Sequence, residues 1–160
     1  LNGEVIGTQE VSDSTRLTAQ FEVPYQSGEL TAIGITSGNE VARQVLKTTG
    51  KPFSVRVTPE KERLSLAGDD LAYFNVEVVD ENGEVVPDAS VPVELEITGG
   101  RLQAVGNDNP QDMHSFQLPR VNSYRGQCQA IVRLEKPGIL TVTALAEGLQ
   151  SGAGKTEVIR

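Results

Sequence analysis

Residues 73–100 read "YFNVEVVDENGEVVPDASVPVELEITGG", and through much of this run every second residue is apolar: Phe74, Val76 and Val78, then Val91, Val93, Leu95 and Ile97. Alternation of period two puts such side chains on one face of an extended chain, whereas on a helix it would scatter them around the axis. The segment is therefore expected to form half-buried strands, with Asn82-Gly83 closing a tight turn. The rhythm recurs in "RLTAQFEV" (Leu17, Ala19, Phe21, Val23), which Pro24 ends because it has no N–H for a ladder. It returns in "FSVRVTP" (Phe53, Val55, Val57), "RLQAVG", "GQCQAIVRL", "GILTVTALA" and "GKTEVIR". "LTAIGI" and "EVARQVL" are expected to pair across "SGNE", with Gly38-Asn39 at the tip, although the second also suits a short helix by propensity. No stretch of ten residues carries a capped helical stripe, so the fold class expected is all-β.

Gly50 and Pro52 interrupt the pattern in "TTGKPF" and mark a boundary. Residues 52–160, with about seven short strands and a turn signal every ten residues or so, are expected to form an immunoglobulin-like β-sandwich. Residues 1–51 read as the C-terminal part of a smaller β-sandwich. The sequence opens on Leu1 directly before Asn2-Gly3, a strong hairpin signal that needs a strand on both sides. The first piece is accordingly expected to be truncated, with an open edge able to pair with a second copy of the chain.

The 160 residues include 14 basic and 22 acidic ones, a formal charge of -8 that disfavours nucleic acid and anionic lipid as partners. No apolar run approaches the roughly 20 residues of a membrane-spanning helix. With Cys128 and His114 each alone of its kind, neither an internal disulfide nor a Cys/His zinc site is expected. No cofactor is expected either.

Glu94 and Glu96 alternate with Val93, Leu95 and Ile97 and so belong to the solvent face of a strand. Asp69 and Asp70 follow Gly68 and suit a turn. His114 has no G-x-S-x-G nucleophile motif to serve, and "GAGK" at 152–155 lacks P-loop spacing and reads as a flexible connection. No catalytic residue is assigned. The most polar stretch is "GNDNPQDMHSF", residues 106–116. Asn107, Asp108, Asn109 and Asp112 carry the oxygens calcium prefers, without EF-hand spacing, and Asn, Asp and Pro are first of all turn formers. Phe116 and Tyr124 flank the long connection "SFQLPRVNSY" and either cap the core or form a small platform with His114 and Arg120 or Arg125; the arginines could also grip a carboxylate. Candidate contacts for a sugar or a neighbouring domain are therefore Asn107, Asp108, Asn109, His114, Phe116, Arg120 and Tyr124.

The run "DLAYFNVEVVDENGEVVPDASVPVELEITGGRLQAVGNDNP", followed by "YRGQCQAIVR" and "PGILTVTALAEGLQS", resembles the C-terminal immunoglobulin-like domain of bacterial glycoside hydrolase family 2 enzymes of the β-galactosidase type. "LNGEVIG" and "FEVPYQSGELTAIGITSGNEVARQVLKTTGKP" resemble the end of the small β-domain that precedes it. The resemblance implies an exported bacterial parent, periplasmic or extracellular, that hydrolyses β-linked sugars with two carboxylates on a (β/α)8 barrel. It implies for this chain an accessory role: bracing that upstream catalytic barrel, or contributing to subunit or carbohydrate contacts, without catalytic activity of its own. Two other readings of the same residues stand beside it: a tandem immunoglobulin-like stalk of a surface adhesin, and an autonomous carbohydrate-binding module.

Overall fold

The computed structural model describes residues 1–68 and 71–160, so the expected turn at Asp69-Asp70 lies outside the described residues. The chain separates into two compact units, Leu1–Thr48 and Thr49–Arg160.

In the first unit Asn2 and Gly3 both take positive φ (52° and 87°). Leu1 and Glu4 exchange hydrogen bonds of 2.8 and 2.9 Å across them. The Asn2 side chain then accepts from Glu29 N at 2.8 Å and donates to Ser27 O, tying this turn to the start of β1. β1 (Glu29–Thr36) and β2 (Asn39–Lys47) form an antiparallel hairpin. Its tip is Ser37-Gly38, both at positive φ as a two-residue type I′ turn requires, one residue earlier than expected. The helical alternative for "EVARQVL" is not taken.

Residues 16–23 do not form the expected strand. A 3-10 turn at Asp13–Thr15 delivers the chain into Arg16 and Leu17, both left-handed (φ 54° and 56°), which an extended ladder excludes. The Gln9 side chain also engages the Gln20 backbone, accepting from its N–H at 2.9 Å and donating to its carbonyl. An amide side chain thus occupies the place of a partner strand. None of the 48 residues of this unit is buried, and Val5, Leu17, Tyr25, Ile35, Val41 and Leu46 are each more than 60% exposed.

The second unit is a sandwich of two sheets. One is ordered β3 (Ser54–Pro59), β5 (Leu71–Val79), β9 (Gln127–Leu134), β7 (Gly100–Gly106). The other is ordered β4 (Arg63–Ser65), β11 (Gly152–Ile159), β10 (Gly138–Leu145), β6 (Pro92–Thr98), β8 (Arg120–Asn122). All pairings within these sheets are antiparallel except β4 with β11. The alternating residues do face inward: Phe74 and Val76 from β5 meet Val93 and Leu95 from β6, together with Val132, Leu140, Val142 and Val158. Val78 belongs to a small satellite cluster with Val86 and Ala89. Glu94 and Glu96 lie on the exposed face of β6. Phe53 precedes β3 and stays partly exposed.

"GAGK" is not a flexible connection but the start of β11. A β-carbon at Gly154 would stand 2.9 Å from both the Val57 carbonyl and its side chain, and one at Gly152 would collide with the Val55 carbonyl. These glycines let β11 lie against β3. The same corner is pinned by Val55 N to Gln150 O (2.8 Å) and Gln150 N to Phe53 O (3.0 Å).

Asp80 is buried at the end of β5 and accepts from Gly50 N (2.7 Å), Asn82 N (2.9 Å) and Glu84 N (3.0 Å). The Gly50 N–H, ahead of the other two, holds its carboxyl below the usual carboxylate range. Asn82 and Gly83 lie in this three-residue turn, with Gly83 left-handed at φ 81°. Cys128 is buried in β9, and that burial pushes its thiol up to about 12.

Phe74 has no exposed surface and sits between the sheets at the β3–β11 corner. Phe74→Ala should lower the free energy of unfolding in urea by about 3–5 kcal/mol. A loss below about 1 kcal/mol would mean that the core does not depend on this ring.

Candidate functional site

The polar stretch leaves β7 at Gly106 and is bounded by a hydrogen bond from Val105 N to Phe116 O (2.7 Å). Within it the amide side chains hold the backbone. Asn107 Oδ1 accepts from Asn109 N at 3.0 Å, and Asn109 Oδ1 accepts from Gln111 N at 3.0 Å, two successive turns closed by side chains. Asn107 Nδ2 donates to Asp112 Oδ2 (2.7 Å) and to Asn122 O (2.8 Å), joining the loop to β8. The other Asp112 oxygen accepts from His114 N at 2.9 Å and pairs with the His114 imidazole through Nδ1.

Asp112 consequently has a lowered pKa, chiefly from the His114 backbone N–H, then the imidazole and the Asn107 amide. The oxygens of Asn107, Asn109 and Asp112 that a calcium ion would need are already accepting hydrogen bonds inside the loop. Among the described residues no three His, Cys, Asp or Glu side chains converge.

This frame borders a surface cleft of about 450 Å³, lined by Asn107, Asn109, Gln111, Asp112, Met113 and His114 on one side and by Ser90, Asn122, Ser123 and Tyr124 on the other. Its second wall is built by a turn. Arg125 and Gly126 take positive φ (52° and 75°), Tyr124 and Gln127 exchange hydrogen bonds of 2.8 and 3.0 Å, and the Arg125 guanidinium lies 5.4 Å from the centre of the Tyr124 ring. Ser123 is buried, donating to Ala89 O and accepting from Val91 N.

Residues 55–155 match the family model described as glycoside hydrolase family 2 C-terminal domain 5. The chain belongs to this family. Residues 1–42 match a second model, a domain of unknown function designated DUF4982. The chain is similar to the β-galactosidase BoGH2A of Bacteroides ovatus, 33% identical over 157 residues, which is 97% of this chain and 18% of that enzyme. It is also 40% identical over 83 residues to a β-galactosidase of Thermoanaerobacter pseudethanolicus, covering 51% of this chain and 11% of the relative. A crystal structure of a family 2 glycosyl hydrolase from Bacteroides cellulosilyticus superimposes with a TM-score of 0.89 at 30% identity, over all of this chain and 21% of that one. The matches thus span about a tenth to a fifth of these relatives' length.

In this family 2 C-terminal domain, four of the seven candidate contacts, Asn107, Asn109, His114 and Tyr124, line one cleft. Asp108, Phe116 and Arg120 do not. Phe116 lies 61% exposed against Gly106, so it does not cap the core. Arg120 stands opposite Glu94 on the exposed face of the β6–β8 pair, because Val121 takes the inward position. The connection "SFQLPRVNSY" is shorter than it reads, since β8 runs through it. Ser90, Gln111, Met113, Asn122 and Ser123 also line the cleft, and no alternation or spacing in the sequence brings residue 90 to residues 107–114.

Asn107→Ala should free the loop from β8 while costing about 1 kcal/mol or less of global stability. Amide hydrogen exchange at residues 108–116 should accelerate, and unchanged exchange would refute the bridge. The pH dependence has a fixed sign. Because these bonds favour charged Asp112, their contribution is present above the unfolded carboxyl pKa of about 4 and is lost as pH falls through the lower folded value.

Proposed function

We propose that the chain is a non-catalytic accessory region of a larger β-galactosidase-type glycoside hydrolase, exported by a bacterium, and that it braces the catalytic barrel lying upstream in the same polypeptide. The observation that carries this reading is that 97% of the chain aligns with only 18% of BoGH2A. The bacterial relatives support it, as does the first unit, whose lack of any buried residue is the condition of a part that packs against something else. The carboxylates of β6 are exposed on a flat strand face, which suits solvent and not the paired-acid geometry of glycoside hydrolysis, in which two carboxyl groups face each other across the scissile bond. No observation favours the adhesin-stalk reading over this one.

The purified chain should not turn over a chromogenic β-galactoside above the uncatalysed rate; activity that co-purifies with it through successive columns would overturn the reading. In the longer polypeptide, deleting this region should lower the thermal midpoint of the catalytic part, and an unchanged midpoint would exclude a bracing role.

The β1–β2 hairpin leaves two strand edges unpaired and Ile35, Val41 and Leu46 exposed. By itself the chain should associate through that hairpin, giving a light-scattering mass that rises with concentration above 17.2 kDa. A polypeptide extended upstream by roughly 20 residues should be more monomeric, and equal association of the two would refute edge pairing.

A further inference from the structure

We infer that the cleft between the 107–114 loop and the Tyr124–Gln127 turn is a binding site for a neutral pyranoside, held by amide and imidazole groups over the Tyr124 ring. This goes beyond the bracing role, and its failure would leave that role intact.

The site is divided between groups that build it and groups that stay free. Asn107, Asp112 and Ser123 spend their polar atoms on the frame. Asn109 Nδ2, the Gln111 amide, the Asn122 amide, His114 Nε2 and the Tyr124 hydroxyl have no hydrogen-bond partner among the described residues. The five residues that carry these groups all line one cleft of about 450 Å³, within the range of small-molecule sites. Amides, a hydroxyl and an imidazole both donate and accept, which matches ligand hydroxyls that do the same. Tyr124 adds a flat apolar body with a polar tip, held in place by its turn and by Arg125.

Other small ligands fit this lining less well. An acidic sugar or phosphate would meet the Asp112 carboxylate in the cleft wall, against which stands the Arg125 guanidinium beside Tyr124. A calcium ion would find one carboxylate, Asp112, among the lining side chains, and no three His, Cys, Asp or Glu side chains converge among the described residues. An apolar ligand would strand the free amides. A neutral polyol satisfies them without opening the frame.

The test is a two-dimensional amide NMR titration of the 160-residue chain with methyl β-galactoside, methyl β-glucoside, glucuronate and calcium as separate probes. Expected are shifts of the Asn109, Gln111 and Asn122 side-chain amides with one or both neutral glycosides, at dissociation constants of about 1–10 mM, as suits a shallow cleft with one ring. Asn109→Asp keeps an oxygen to cap Gln111 N and replaces the free donor by a charged acceptor; combined with Gln111→Ala it should weaken binding about tenfold, with the backbone spectrum otherwise unchanged. The inference is overturned if the neutral glycosides cause no shifts up to about 50 mM, if the shifts map outside the cleft, if the double variant binds equally well, or if only calcium or glucuronate perturbs these amides.

Discussion

The sandwich is closed at one corner, where β11 lies close on β3: backbone meets backbone at Gly152, and the Val57 and Phe74 side chains fill the space a side chain at Gly154 would need. Gly152 and Gly154 make the approach sterically allowed, and Gln150 converts it into hydrogen bonds with Phe53 and Val55. Close approach here sets the spacing in which Phe74 fits with no exposed surface, reaching toward Gly154 from the opposite sheet. Any side chain at these two positions would wedge the layers apart, and dense cores tolerate little such displacement.

Hydrogen-bonding polar side chains, buried or half-buried, then fix what the apolar core leaves undetermined. Asp80 gathers three N–H groups from the entry to the second unit and from its own hairpin turn, so that the chain direction at Gly50 and the geometry of the turn are one structure. Ser123 does the same between Ala89 and Val91, and Asn107 between the 106–116 loop and β8. Each is a short side chain bonding backbone that no ladder satisfies. The cleft is a by-product of two such ties lying side by side.

The faces of the strands in the second unit were legible because one side of each sheet is wet, and period-two patterning records that directly in Phe74, Val76, Val93 and Leu95. Short elements left weaker marks. β8 is three residues inside a polar connection and shows only as the single inward Val121, while Val86 and Ala89 fall in a turn-rich stretch with no period at all. In residues 16–23 the alternation is present yet unused, because Arg16 and Leu17 turn left-handed and a glutamine side chain takes the ladder's place. Of the cleft, the loop was visible as a cluster of amides. Of its opposite wall only Tyr124 was, since residues 90, 122 and 123 reach it through the pairing of β6 with β8.

Cys128 sits in β9 with its side chain turned into the core. With the thiolate disfavoured by its surroundings, the sulfur is sheltered from disulfide exchange and from oxidants as long as the sheets stay together. As the chain's single cysteine it can form no internal disulfide, so the second unit is held by packing and hydrogen bonds alone.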